Sequence, residues 1–348
     1  MKKFASLFSW TFALLAAIVL FNVFRYLVFW SPTEEVTFRS GDIELSGLLV
    51  KPGEEGRYPA VVILHGSGPE SYSDPSYKIT AATLVGSGFA VLLYDKRGVR
   101  GSGGDFNSAL YVDFVDDAVA AVNYLRTRND IDIHRIGLFG NSESGWLTPE
   151  IAYRIGDIAF IFNRVGPPLP WLDTVRWEVR NEFLAAGIAE TDLDRLLDIT
   201  ERRWRFMQAA GFDSSLVRSP EYDAINAELT MLRETIPLAD QVLPKELPPY
   251  DRSYYRRFAL DSSYDPGPFL EKIDVPMYYA FAENDVNVPT ARCVEYLEEL
   301  REEHDKNISY IVFEGLGHSL AHWTGILTGG YLPEYLEIVR TWTVEQVQ

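Results

Sequence analysis

Six short runs of almost purely apolar residues constrain this chain more than any other feature: Ala60–Leu64, Phe89–Tyr94, Arg135–Phe139, Ile158–Phe162, Pro276–Ala282 and Ile308–Phe313. A strand with no polar face must be covered on both sides, and parallel sheets under helices meet that demand. Amphipathic helical patterns lie between the runs, at Ser76–Val85, Tyr111–Arg128, Ser144–Ile155, Thr290–Glu303 and Leu332–Glu345. The alternation predicts an α/β fold with a doubly wound, mostly parallel sheet. Val36–Phe38 and Ile43–Val50, turning at Ser40-Gly41-Asp42, predict an antiparallel hairpin at its N-terminal edge.

The alternation stops between Pro167 and Asp265. That stretch carries helical patterns at Leu172–Ala186, Glu190–Ala210 and Tyr222–Ile236, then a Pro-rich passage at Leu243–Tyr250. It reads as a helical lid insertion, residues 167–265, over the carboxyl ends of the strands, where such sheets bind ligands. The sheet core then comprises residues 33–166 and 266–348.

Residues 1–30 form a third unit. Lys2 and Lys3 precede Phe4–Phe24, a run of 21 residues without a formal charge. About 20 such residues cross a bilayer core as a helix. Bulky Ile18, Val19, Leu20 and Phe21 follow Ala16-Ala17, unlike a cleavable signal with a small-x-small site. The segment reads as a single-pass N-terminal membrane anchor. The two lysines favour a cytoplasmic N-terminus, with the rest of the chain extracytoplasmic, although Arg25 lies on the opposite flank.

Composition excludes some classes. The net charge of −18 repels phosphate backbones, so nucleic acid is not expected as a partner. The lone Cys293 forms no intramolecular disulfide, and no H-E-x-x-H spacing suggests a metal site.

The chemistry-bearing residues follow the apolar runs. Gly140-Asn141-Ser142-Glu143-Ser144-Gly145 joins a buried strand to a helix. A nucleophile elbow requires that context, because a sharp turn with small neighbours lifts the serine hydroxyl above the sheet. The usual pattern is G-x-S-x-G, and Ser144 stands at its last glycine. Asp285 follows the fifth run and His318 the sixth. A serine hydroxyl is a weak nucleophile until an imidazole takes its proton and a carboxylate orients that imidazole. Ser142, Asp285 and His318 occur in the order of the α/β-hydrolase arrangement. Asp285 lies too far from Pro289 for a simple helix cap. His322 competes with His318 but does not directly follow the strand-ending Gly317. It is read instead as a pocket wall or turn cap, and His134 and His304 as solvated.

His65-Gly66-Ser67-Gly68-Pro69 follows the first run. The backbone N–H of Ser67, with Gly68 as second choice, is expected to be one oxyanion donor. The N–H of Glu143 is the other.

The three segments His65-Gly66-Ser67-Gly68-Pro69, Tyr94-Asp95-Lys96-Arg97-Gly98 and Gly140-Asn141-Ser142-Glu143 together resemble the α/β-hydrolase branch of serine esterases related to prolyl-oligopeptidase-type peptidases. The likeness runs from about Val36 to the C-terminus. That family usually carries H-S-E-G-G at the elbow, where this chain has Asn141-Ser142-Glu143-Ser144-Gly145. The resemblance implies an α/β-hydrolase fold and hydrolysis of carboxylic esters through an acyl-enzyme, without a cofactor. It implies a structural role for Asp95-Lys96-Arg97-Gly98. The expected partner is a small-molecule ester or peptide-like substrate. Acidic Asp173, Glu178 and Glu182 in the insertion keep an aminopeptidase or acyl-peptidase open, and Ser144 keeps open a non-catalytic binding protein on the same fold.

Overall fold

The computed structural model describes residues 31–328 and 330–348. The expected membrane anchor, residues 1–30, lies outside them. Among the described residues, no helix is long and apolar enough to cross a membrane.

Eight strands form one sheet: β1 (Thr33–Ser40), β2 (Ile43–Val50), β3 (Tyr58–Leu64), β4 (Ala90–Tyr94), β5 (Ile131–Asn141), β6 (Ile161–Arg164), β7 (Met277–Ala282) and β8 (Ile308–Phe313). Their order is β1-β2-β4-β3-β5-β6-β7-β8. The β1–β2 hairpin pairs antiparallel with β4, and strands β3 to β8 run parallel. Alternate strand residues serve opposite faces, as the period of two requires. Val62, Leu64 and Leu138 pack beneath α2 (Tyr111–Arg126) and α3 (Ser144–Ile155). Val61, Ile63 and Phe139 face α1 (Pro75–Gly86) and α11 (Pro333–Glu345). Val61, Val62 and Ile63 are fully buried, and each such side chain contributes roughly 1.5–3 kcal/mol of transfer free energy.

Two strands depart from the expected bounds. β5 starts at Ile131, and β6 starts at Ile161, later than the apolar run suggests. Just before β6, Ala159 N donates to Ile136 O and Leu138 N to Phe160 O, both at 2.9 Å, so the run already pairs with β5, and Phe160 packs on it. Its ring fills the space left by Gly137 in mid-β5, where a Cβ would approach ring carbon Cε2 to 2.6 Å.

Between β6 and β7 the chain is helical: α4 (Trp171–Ala185), α5 (Glu190–Phe212), α6 (Pro220–Thr235), the short α7 (Ala239–Val242), α8 (Arg252–Ser262) and the short α9 (Gly267–Leu270). The stretch has a core of its own, around Phe183, Leu196, Trp204, Leu229 and Tyr255. Helix α8 was not expected from the sequence. Asp251 caps it by accepting from Ser253 N at 2.9 Å, so it starts immediately after the Pro-rich passage. Helix α10 (Thr290–His304) then precedes β8.

Candidate active site

Three strand ends meet at the carboxyl edge of the sheet. β5 runs into Ser142, whose φ of +48° is costly for a residue with a Cβ. Hydrogen bonds hold the turn: Ser142 N donates to Arg164 O at 2.9 Å, and Gly145 N to Ser142 O at 2.8 Å. The tight approach falls on Gly145. A Cβ on the facing Gly166 would lie 2.7 Å from Gly145 Cα, so α3 and the loop after β6 meet backbone to backbone. Ser144, in the expected glycine slot, is buried and donates its hydroxyl to His65 O. Its Cβ therefore does not spoil the elbow, and its hydroxyl ties the elbow to the loop after β3.

Asn141 is tied in as well. It donates to the Tyr77 hydroxyl at 3.1 Å and accepts from Arg164 Nε at 2.7 Å.

The structure brings Ser142, His318 and Asp285 together. Ser142 Oγ lies 2.9 Å from His318 Nε2, and His318 Nδ1 lies 2.8 Å from Asp285 Oδ2. Asp285 is buried, and its Oδ1 also accepts from Asn287 N at 2.9 Å and Val288 N at 3.0 Å. A carboxylate fixed by two main-chain donors holds the imidazole in one orientation. The loops carrying Asp285 and His318 are themselves joined, because Asn284 N donates to Leu316 O at 2.8 Å. His322 lies outside this arrangement: its Nδ1 contacts Thr324 Oγ1 at 2.7 Å and caps a turn. His134 is exposed beside Asp157.

The loop after β3 faces the elbow. Gly66 N is taken, donating to the Tyr77 hydroxyl at 2.9 Å. The N–H groups of Ser67, Gly68 and Glu143 meet no acceptor among the described residues. His65 is enclosed between Tyr77 and Tyr94, with ring centroids 5.2 and 4.8 Å away. Burial, with help from the Lys96 charge, lowers its pKa to about 3, so the ring is neutral.

From the sequence, the loop of Lys96 has a structural role and no catalytic one, and the structure shows how closely that lysine holds the site. Its buried ammonium donates to Gly66 O at 2.6 Å and Gly68 O at 3.3 Å, the carbonyls on either side of Ser67. It also pairs with Glu143 Oε1 at 2.8 Å and lies 4.5 Å from the Phe114 ring centroid. One cation thus spans both expected oxyanion donors. The neighbouring Arg97 has the structural role expected of this loop, pairing with Asp113 and Asp117. Trp177 was also missed as a neighbour of the acid. From α4 it donates to Asp285 O at 3.0 Å, while Asn181 donates to Val286 O at 2.9 Å and Asn287 to Glu178 at 2.8 Å.

A sequence model of the X-Pro dipeptidyl-peptidase (S15) family matches residues 41–320. Among characterised relatives, esterase EstD of Thermotoga maritima is 25% identical over 300 residues, covering 83% of this chain and 62% of its own length. The chain thus spans under two thirds of that relative. The acylamino-acid-releasing enzyme of Mus musculus is 30% identical over 124 residues, covering 34% of this chain and 17% of the enzyme. Among solved structures, an esterase of Pyrococcus furiosus superposes with a TM-score of 0.58 at 16% identity, covering 91% of both chains. Est1E of Butyrivibrio proteoclasticus, solved with bound ferulic acid, gives 0.54 at 16% identity, covering 90% of this chain and 99% of Est1E. These structures share the α/β-hydrolase fold with this chain.

Proposed function

The chain belongs to the X-Pro dipeptidyl-peptidase (S15) family, and on that premise we propose that it is a serine hydrolase cleaving carboxylic esters through an acyl-enzyme intermediate. The observation that carries this reading is the hydrogen-bonded chain from Ser142 through His318 to Asp285. Ser142 Oγ attacks the ester carbonyl carbon while His318 Nε2 takes its proton. The tetrahedral oxyanion accepts from the N–H groups of Ser67 and Glu143. The carbon–oxygen bond then breaks, and His318 returns the proton to the leaving alcohol. Water, deprotonated by His318, attacks the acyl-Ser142 ester and releases the acid. Asp285 stabilises the imidazolium in both halves. The helical stretch between β6 and β7 serves as the roof of the site. Likeness to EstD supports esters as substrates. The test is labelling by a fluorophosphonate probe, expected for the native chain and absent in Ser142→Ala. Folded native protein that takes no label refutes the proposal.

A specific observation favours peptide-like substrates as a second reading. Glu178 and Glu182 lie on α4, which is docked against the Asp285 loop, and burial together with the Glu178 charge raises the Glu182 pKa. Two carboxylates there suit a substrate ammonium. Aminoacyl p-nitroanilides hydrolysed faster than p-nitrophenyl acyl esters would favour it.

Residues 1–30 are proposed as a membrane anchor that places the hydrolase outside the cytoplasm. The uncharged run Phe4–Phe24 behind Lys2 and Lys3 supports this. Protein in the soluble fraction of cells expressing the whole chain refutes it.

A further inference from the structure

Beside the elbow lies a cavity of about 670 Å³. Ligand sites span roughly 300–1,000 Å³ and are mostly apolar with a few polar groups. Leu110, Tyr111, Trp171 and Phe258 give this one an apolar part, and Glu143, Asp261, Asp105, Arg256 and Arg257 a polar part of its wall. Tyr111 and Trp171 pack close to Trp146 and Phe258, with ring centroids 5.8 Å apart in each pair. Asp261 is held as part of the wall, accepting from Tyr111 N at 3.0 Å. The cavity meets the elbow through Glu143, which lines it and directly follows Ser142 in the chain.

Its position around Ser142 has chemical meaning. His318 must protonate the leaving oxygen, so the leaving group lies on the histidine's side. His318 and Asp285 follow β8 and β7, which lie to one side of β5 in the sheet. Leu110 and Tyr111 follow β4, which lies to the other side. Helix α8 and Trp171, from the helical stretch, close the space over them.

We propose that this cavity is the acyl-binding site, and that the substrates are esters of apolar medium-chain or arylalkanoic acids rather than acetate esters. The inference rests on the esterase reading above. The acyl group extends past Glu143 between Tyr111 and Phe258, while the alcohol departs toward His318.

The test uses the full chain with p-nitrophenyl acetate, butyrate, octanoate and 3-phenylpropanoate, with active sites counted by fluorophosphonate labelling. Native kcat/KM should rise at least about tenfold from acetate to octanoate, since each methylene well buried in such a pocket contributes up to about tenfold or more. Leu110→Trp, which fills the cavity, should cut the octanoate-to-acetate ratio by about tenfold or more. Phe258→Ala, which enlarges it, should shift the optimum to longer or bulkier acyl groups. A second series holds the acyl group as acetyl and varies the alcohol. Ratios unchanged by both substitutions overturn the proposal. So does a native enzyme restricted to acetyl esters, or a Leu110→Trp effect confined to the alcohol series. A native chain that takes no fluorophosphonate and cleaves no ester fails at the earlier step, which separates loss of the esterase reading from loss of the acyl-site assignment.

Discussion

The hydroxyl of Ser144 donates to the main-chain carbonyl of His65, joining the turn that carries Ser142 to the loop that carries Ser67. Removing it should cost stability and alignment together. A buried carbonyl left without its donor costs roughly 1–3 kcal/mol. Ser144→Ala is expected to lower Tm by several degrees and kcat severalfold. Thermal unfolding beside steady-state kinetics checks both. Gly145→Ala should be far more damaging, because the added Cβ meets the backbone of Gly166 and Pro167, and neither can move aside alone. Little folded protein is expected from that variant.

Lys96→Met should act mainly on kcat. Losing one oxyanion donor costs about 10²–10³-fold in kcat. Loosening the loop that bears Ser67 and freeing the Glu143 side chain should cost on the order of 10²-fold, with KM changed far less. The substitution also strands the Glu143 carboxylate, and breaking a buried ion pair costs about 3–5 kcal/mol. The double variant Lys96→Met/Glu143→Gln should therefore regain stability without regaining kcat. Recovery of kcat in the double variant would mean that Lys96 serves only to neutralise Glu143.

What the sequence could and could not disclose follows from locality. Ser142, Asp285 and His318 stand directly after apolar runs, so the sheet brings them to one edge whatever surrounds them. Lys96 also follows an apolar run, Phe89–Tyr94, but as part of a structural loop it carried no chemical pattern of its own, and only the folded loop shows its ammonium on the carbonyls of Gly66 and Gly68. Ser144 looked like a flaw because it fills the last glycine position of the G-x-S-x-G pattern; in the fold the close backbone approach falls one residue later, on Gly145. Helix α8 is amphipathic but short and very polar overall, and it directly follows the Pro-rich passage, so it did not stand out as a separate element. The cavity joins Leu110 to Phe258, residues distant in sequence, and no local pattern encodes that pairing.

Acid should destabilise the protein through His65. Its pKa falls from 6.5 to about 3 on folding, so between those values the unfolded chain binds a proton that the folded chain refuses. Stability is then lost as pH falls through that window. Asp261 acts with the opposite sign. Burial raises its pKa from 3.8 to about 6, so the folded state holds the extra proton and stability is lost as pH rises across that range. His65→Phe should flatten the acid-side loss. Asp261→Asn should steepen it between about pH 4 and 6. Urea unfolding at pH 4, 5, 6 and 7 measures both slopes.

Trp177→Phe removes a single hydrogen bond, from the indole N–H to Asp285 O. A hydrogen bond of this kind contributes about 1 kcal/mol net. Activity should fall about fivefold, with the larger share in kcat if the loop carrying the acid loses its position. Stopped-flow acylation with a fast ester separates that effect from product release.

The grip of α4 on the Asp285 loop has a consequence for how such an enzyme diversifies. Trp177, Glu178 and Asn181 belong to the helical stretch proposed as the roof, yet they hydrogen-bond the loop that carries Asp285. A graft that exchanges this roof for one with a different substrate shape also exchanges the brace on the acid. Selectivity and turnover are inherited as one trait here, and variants that alter the first without the second should arise in α8, whose residues line the cavity, rather than in α4.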